Sequence, residues 1–184
     1  MILPVFVYGQ PVLRKVAVDI DKNDTKLPKL ITDMWDTMYK ADGVGLAAPQ
    51  VGQSVRLFVI DLSPYHEEYP ELAGFKKAFI NAQIIERTGN EWDFNEGCIS
   101  IPGIREDVSR PDKIRIQYYD ENWQYHDEEY DGIQARVIQH EYDHLEGIMF
   151  VDHLSSLRRR MLNGKLVAIG KGKVSTSYKV KLPK

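Results

Sequence analysis

Cysteine is nearly missing from this chain: Cys98 is the one thiol among 184 residues. An intrachain disulfide is therefore excluded, and a reducing, cytoplasmic setting is the expectation. No apolar run approaches the roughly 20 residues that a membrane-spanning helix needs, so no membrane partner is expected. The opening residues Met1-Ile2-Leu3-Pro4-Val5 lack the basic stretch and apolar core of a secretory signal, and none is expected. Internal repeats and low-complexity tracts are missing as well, which argues against solenoids and linkers. The glycine-rich stretch from Gly43 to Gln50 lacks the Lys-Ser/Thr ending of a phosphate loop.

What is present is the composition of a globular domain, 43% hydrophobic and 28% charged. That supports one catalytic domain over residues 1–184 with a substantial core. The net charge of −3 hides an asymmetry. Residues 151–184 hold nine Lys or Arg and the single acid Asp152, while the preceding 150 residues carry a net charge of −11. A basic helix and tail over about 155–184 can meet an anionic partner or fold back on the acidic body.

The most informative stretch is Gln139-His140-Glu141-Tyr142-Asp143-His144. It reads His-Glu-x-x-His, and residues four apart on a helix share a face. His140 and His144 can present two imidazoles to one metal ion, with Glu141 beside them as a base. Asp131 is a candidate N-cap, with Gln134 completing a capping box, and Gly147 is a natural stop. Ile133 and Val137 share the histidine face; Ile138, Tyr142 and Leu145 lie beside it. A helix apolar on more than one side is expected to be central and buried.

The remaining elements follow from periodicity and turn chemistry. A helix is expected over Leu27–Lys40, with Leu30, Ile31, Met34, Trp35 and Met38 facing the core. Gly43–Gln50 reads as a loop tight enough for close backbone approach. Strands are expected at Val55–Ile60 and at Lys77–Arg87, the second kinked near Asn81 and ended by a turn at Gly89-Asn90. Residues 62–76 read as an excursion loop with His66 exposed. Lys113–Tyr118 and Trp123–His126 read as a hairpin. A last helix is expected over Ser155–Ile169, capped at Ser155 or Ser156, with Leu157, Met161 and Leu162 on its apolar side. Strands followed by helices give an α+β fold, with antiparallel or mixed sheets around the central His-Glu-x-x-His helix.

A metal site needs a third protein donor. The metzincin spacing would place a histidine at 150, where the chain has Phe150. Glu146, Asp152 and His153 remain as downstream candidates for a zinc endopeptidase. Upstream stands Cys98, either an inert core thiol or a thiolate that completes a soft site with one position open. A metal-stabilised binding protein is a third reading, and the carboxylate of Glu141 argues against it.

Three segments together resemble one family. Gly43-Val44-Gly45-Leu46-Ala47-Ala48-Pro49-Gln50, Glu96-Gly97-Cys98-Ile99-Ser100 and the His-Glu-x-x-His stretch look like the motifs of the bacterial peptide deformylases, in the same order. Gly9 to Arg14 also resembles that family's N-terminal region, so the likeness spans about residues 5–165. It implies hydrolysis of the N-formyl group from the initiator methionine of nascent peptides. It further implies Cys98, His140 and His144 as ligands of one divalent metal, Fe2+ in the family with Zn2+ or Ni2+ accepted. Glu141 is implied as base and then acid, and the Gln50 amide and Ile99 N–H as oxyanion donors. Gly45 would let an extended peptide pair with the loop. Val44 and Val137 are expected to line a methionine pocket, and Arg105 to contact peptide carbonyls beyond it. The implied partners are formyl-Met nascent peptides and, through the basic helix, the ribosome surface, without recognition of a specific nucleic-acid sequence.

Overall fold

The computed structural model describes residues 1–182; the last two residues of the expected domain and basic tail, 183–184, lie outside it. Strand β1 (Val5–Phe6) precedes helix α1 (Leu27–Lys40), then come β2 (Gly45–Ala47), β3 (Leu57–Asp61), β4 (Lys76–Cys98), β5 (Ile101–Tyr119) and β6 (Tyr125–Asp131). Helix α2 (Gly132–Leu145) carries the His-Glu-x-x-His stretch, followed by α3 (Ser156–Gly170) and β7 (Val180–Lys181). Strands β2 to β6 form one antiparallel sheet in sequence order, and β1 pairs in parallel with β7. The α+β expectation holds, with all three helices in place.

Strand alternation explains why α1 and α2 take opposite sides of the sheet. Successive residues of a strand point to opposite faces. Phe58 and Ile60 of β3 join Phe79, Ile114 and Ile116 under Ala135, Ile138 and Leu145 of α2. Leu57 and Val59 join Leu46, Ala78 and Ile80 under Ile31, Met34 and Met38 of α1. Every residue of β3 is therefore buried, and α2 is central, as its broad apolar surface implies. Truncating a fully buried side chain such as Met34 to alanine would cost ~2–5 kcal/mol. A third cluster seats α3, through Leu162, Leu166 and Ile169, on Ile101, Ile104 and Val108 of β5.

The structure departs from expectation in four places. Gly43–Gln50 is not wholly loop: Gly45–Ala47 pairs with Phe58–Ile60 as the edge strand β2. Gly89-Asn90 does not end a strand; β4 continues through it across a register shift between Thr88 and Glu91. Asp131 occupies the N-cap position of α2, but its side chain makes no capping bond. In α3, Leu157 and Met161 are 65% and 66% exposed, because the buried row is Leu162, Leu166 and Ile169. The expected hairpin is also present with longer strands, β5 starting at Ile101 and β6 running on to Asp131, while the bounds of α1 agree. Asn81 kinks β4 at φ 52° while its side chain bonds both backbone groups of Ile20, and Ser155 caps α3 by accepting from Arg158 N–H. Gly147 ends α2 at φ 71°, where a Cβ would lie 2.7 Å from the carbonyl of Arg14.

Candidate metal centre and cleft

Three elements meet at one point. The tight connection between β4 and β5 supplies Cys98, the buried face of α2 supplies His140 and His144, and the turn after β2 supplies Gln50. One donor atom from each of Cys98, His140 and His144 lies within 4.8 Å of the others. The Cys98 Sγ is 3.4 Å from His144 Nε2 and 3.4 Å from Gln50 Nε2. Gln50 also donates to Ser100 Oγ at 3.1 Å, and its Oε1 accepts from Ala47 N–H at 2.8 Å. The amide is thereby locked against the thiol. The donor set, one thiol sulfur and two imidazoles, fits a first-row divalent metal with a position left open.

The histidines are oriented by charges that the motif alone does not reveal. His140 Nδ1–H donates to Glu96 at 2.9 Å, which leaves Nε2 with its lone pair. Glu96 is also held by Arg110, at 2.7 and 3.0 Å, and by Arg136 at 3.0 Å. Arg110 continues to Asp143 at 2.7 Å, and His153 meets the same carboxylate at 2.7 Å. Burial would raise the Glu96 carboxyl; the bonds from His140 and Arg110 overcome it and hold the group well below the usual carboxylate range. Asp143 is held low in the same way, against its burial, by His153 and Arg110. Burial pushes His144 down to about 3, with the charge on His140 adding to it. A neutral imidazole is the form a metal needs.

Glu141 is buried, and its Oε2 has no hydrogen-bond partner among the described residues. Burial pushes its carboxyl up to about 7, partly offset by His140. That places it where a general base is most effective.

All the expected substrate residues line one cleft of about 860 Å³ that also contains Cys98, His140 and Glu141. Val44, Gly45, Gln50, Ile99, Arg105 and Val137 are all on its wall. Arg105 is not free: it bonds Asn95 Oδ1 at 2.8 Å and the Asn95 carbonyl at 2.7 Å. The alternative third donors are engaged elsewhere, Glu146 with Arg56 at 2.7 Å, Asp152 with Arg14, and His153 with Asp143. Phe150, where a metzincin has its third histidine, is buried and stacks near His140 at 6.1 Å between ring centroids.

Sequence reasoning quoted Glu96 and Asp143 inside motifs without giving them a role, and it passed over Arg110, Arg136 and Tyr178. The available signal was the two acids themselves, each one or two residues from a candidate donor. Tyr178, half-buried in the C-terminal tail, donates to the Ile99 carbonyl at 2.7 Å, and burial pushes its hydroxyl up to about 12.

The family model described as Polypeptide deformylase matches residues 2–160. A peptide deformylase of Christiangramia forsetii is 58% identical, the alignment covering 100% of this chain and 97% of the relative. One of Cytophaga hutchinsonii is 54% identical over 100% of this chain and 98% of the relative. The crystal structure of a Legionella pneumophila peptide deformylase superposes with a TM-score of 0.82 at 37% identity, covering 94% of this chain and 98% of that one. On these matches the chain belongs to the peptide deformylase family, the metal-dependent hydrolases that remove the N-formyl group from nascent polypeptides.

Proposed function

We propose that this cleft deformylates formyl-Met peptides with Cys98, His140 and His144 holding one divalent metal, Fe2+ in the native protein. The observation that carries the assignment is the convergence of the three donors within 4.8 Å beside a buried carboxyl without a partner. The bound ion supplies Lewis acidity and acidifies water, the chemistry that amide hydrolysis lacks at neutral pH. Glu141 takes the proton from the attacking water and returns it to the leaving amine. The Gln50 amide and Ile99 N–H donate to the oxyanion that develops on the formyl oxygen. Glu96 keeps His140 in the tautomer that binds metal through Nε2.

The free edge of β2 receives the peptide as an added strand, which its edge position and the cleft-lining Gly43, Val44 and Gly45 support. Val44 and Val137 bound the methionine side chain, and Arg105 meets a carbonyl further along. Residues 1–184 act as one catalytic domain in the cytoplasm, an assignment that the β1–β7 pairing of the two ends supports. The basic helix α3 docks on ribosomal RNA. Exposed Arg159 and Arg160 beside exposed Leu157 and Met161 favour this. Arg158 does not contribute, because Glu106 holds it at 2.7 and 2.8 Å.

The test is formate release from a formyl-Met tripeptide by protein purified without oxygen, with metal analysis of the same sample. Activity with iron that decays in air, and is retained with nickel, is the expected result. Cys98→Ala is expected to lose both metal and activity. Retention of metal by that variant, or highest activity with zinc on unformylated peptides, would favour the endopeptidase reading.

A further inference from the structure

A segment that follows α3 reaches the reaction centre. Ser175, Thr176, Ser177 and Tyr178 lie beyond the family match and line the same cleft as His140 and Glu141. Chain ends usually fray unless tied down, and this one is tied at several points. Gly170, at the end of α3, lies so close to Gly9 that a Cβ on Gly9 would be 3.0 Å from the Gly170 Cα. Val174 packs on the cluster that includes Cys98. Thr176 Oγ1 donates to the Tyr178 carbonyl at 2.7 Å. Val5 N–H donates to the Lys179 carbonyl at 2.9 Å, where β7 joins β1. The Tyr178 hydroxyl is thus presented at a fixed place.

Its target is a specific peptide unit. Cys98 pairs with Ile101, so Ile99 and Ser100 form a two-residue turn. The central peptide of such a turn, here Ile99–Ser100, is the unit whose orientation differs between turn types. Three distant segments hold the turn. Tyr8 N–H donates to the Ser100 carbonyl at 2.8 Å, and Gln50 reaches Cys98 and Ser100 on either side. Only the Tyr178 bond, among these, acts on the central peptide, through the Ile99 carbonyl.

We propose that Tyr178 is a positioning residue for deformylation: its hydroxyl holds the Ile99 carbonyl, and so anchors the residue whose N–H, on the neighbouring Cys98–Ile99 peptide, addresses the cleft beside the Cys98 sulfur. The proposal rests on the roles assigned above to Cys98 and Ile99. Without the hydroxyl Ile99 loses the anchor between its two peptide units, and the oxyanion donor and the thiolate lose their common aim. Misplacement on the scale of an ångström costs up to about 100-fold in rate.

The decisive variant is Tyr178→Phe, which keeps the ring and removes the bond. It is expected to lower kcat about 10- to 100-fold with KM, metal content and Tm close to wild type. The amide NMR shifts of Ile99 and Ser100 in the zinc-loaded protein are expected to change in the variant, while those of the β1–β7 pair stay as in wild type. The thiolate charge-transfer band of the cobalt-loaded protein is expected to change as well. Gln10→Ala releases another tail contact, to the Lys181 carbonyl at 3.0 Å, and is expected to leave kcat unchanged. Unchanged Ile99 and Ser100 shifts in Tyr178→Phe would overturn the proposal. So would wild-type kcat in Tyr178→Phe, or a loss of kcat that only tracks a fall in Tm. Should Cys98→Ala keep its metal, the underlying assignment fails; should it lose metal while Tyr178→Phe behaves as wild type, only the role of Tyr178 fails.

Discussion

Glu141 occupies the space that a side chain at Gly45 would need: a Cβ there would lie 2.4 Å from the carboxylate Oε1 and 2.8 Å from Cγ. The glycine that lets a peptide approach β2 also seats the base. Gly45→Ala is therefore expected to displace Glu141 and to reduce kcat by at least about 100-fold. Overpacking in a buried strand adds a stability loss of about 1–3 kcal/mol. Steady-state kinetics with a denaturation curve separate the two effects. Wild-type kcat in this variant would mean that Glu141 functions from another position.

Glu141→Gln keeps the shape and removes the proton acceptor. It is expected to retain metal and to lose about 10²–10⁴ in kcat. Metal analysis of the variant used for kinetics makes the result decisive, since near-normal turnover at full occupancy would remove Glu141 from the chemistry.

Glu96 answers for both orientation and charge balance. Glu96→Ala takes the partner from His140 and leaves Arg110 and Arg136 buried with one carboxylate fewer between them. Breaking a buried pair in this way costs about 3–5 kcal/mol. Metal affinity is expected to fall about 10- to 100-fold. A competition titration with a chelator reads the second effect, and urea unfolding the first.

The same cluster gives the metal-free protein an acid limit. Glu96 and Asp143 are held below the ordinary carboxylate range, so the unfolded chain takes up protons first as pH falls. Their contribution is complete above about pH 5 and is lost progressively below about pH 4. His144, lowered to about 3, acts in the same direction from about pH 6.5 downward. Glu141, raised to about 7, acts the other way between about pH 7 and pH 4.5, so unfolding midpoints are expected to fall mainly below about pH 4.5 in wild type, and less steeply there in Glu96→Gln.

On α3 the paired and unpaired arginines separate two roles. Arg159→Glu with Arg160→Glu is expected to weaken ribosome co-sedimentation while turnover of a short formylated tripeptide stays at the wild-type level. Arg158→Glu opposes Glu106 instead and is expected to lower Tm. Unchanged co-sedimentation at low salt in the double variant would remove α3 from ribosome binding.

The two histidine donors and the base are legible because helical spacing ties His140, Glu141 and His144 together over a few residues, whereas Cys98 is chosen among the candidate third donors only through the family resemblance; the boundaries of α1 follow from its periodicity. The charges that support the histidines are not legible. Glu96 meets His140 across 44 positions, and Arg110 meets Asp143 across 33, so only the folded sheet brings them together. The apolar side of α3 was misjudged for a related reason. Leu157–Met161 and Leu162–Leu166 are both spaced by four, and periodicity does not say which row faces β5. Gly89-Asn90 has turn chemistry, yet β4 absorbs it as an irregularity because Pro111 and Lys113 of β5 continue to pair across it.

The parallel pair of β1 and β7 sets a timetable. During synthesis residues 5–6 emerge long before 180–181 exist, so β1 waits for a partner made much later. Ser175 to Tyr178, which close one side of the cleft, likewise follow the metal donors in the order of synthesis. A nascent chain that has exposed only residues 1–174 therefore carries the metal donors without this wall.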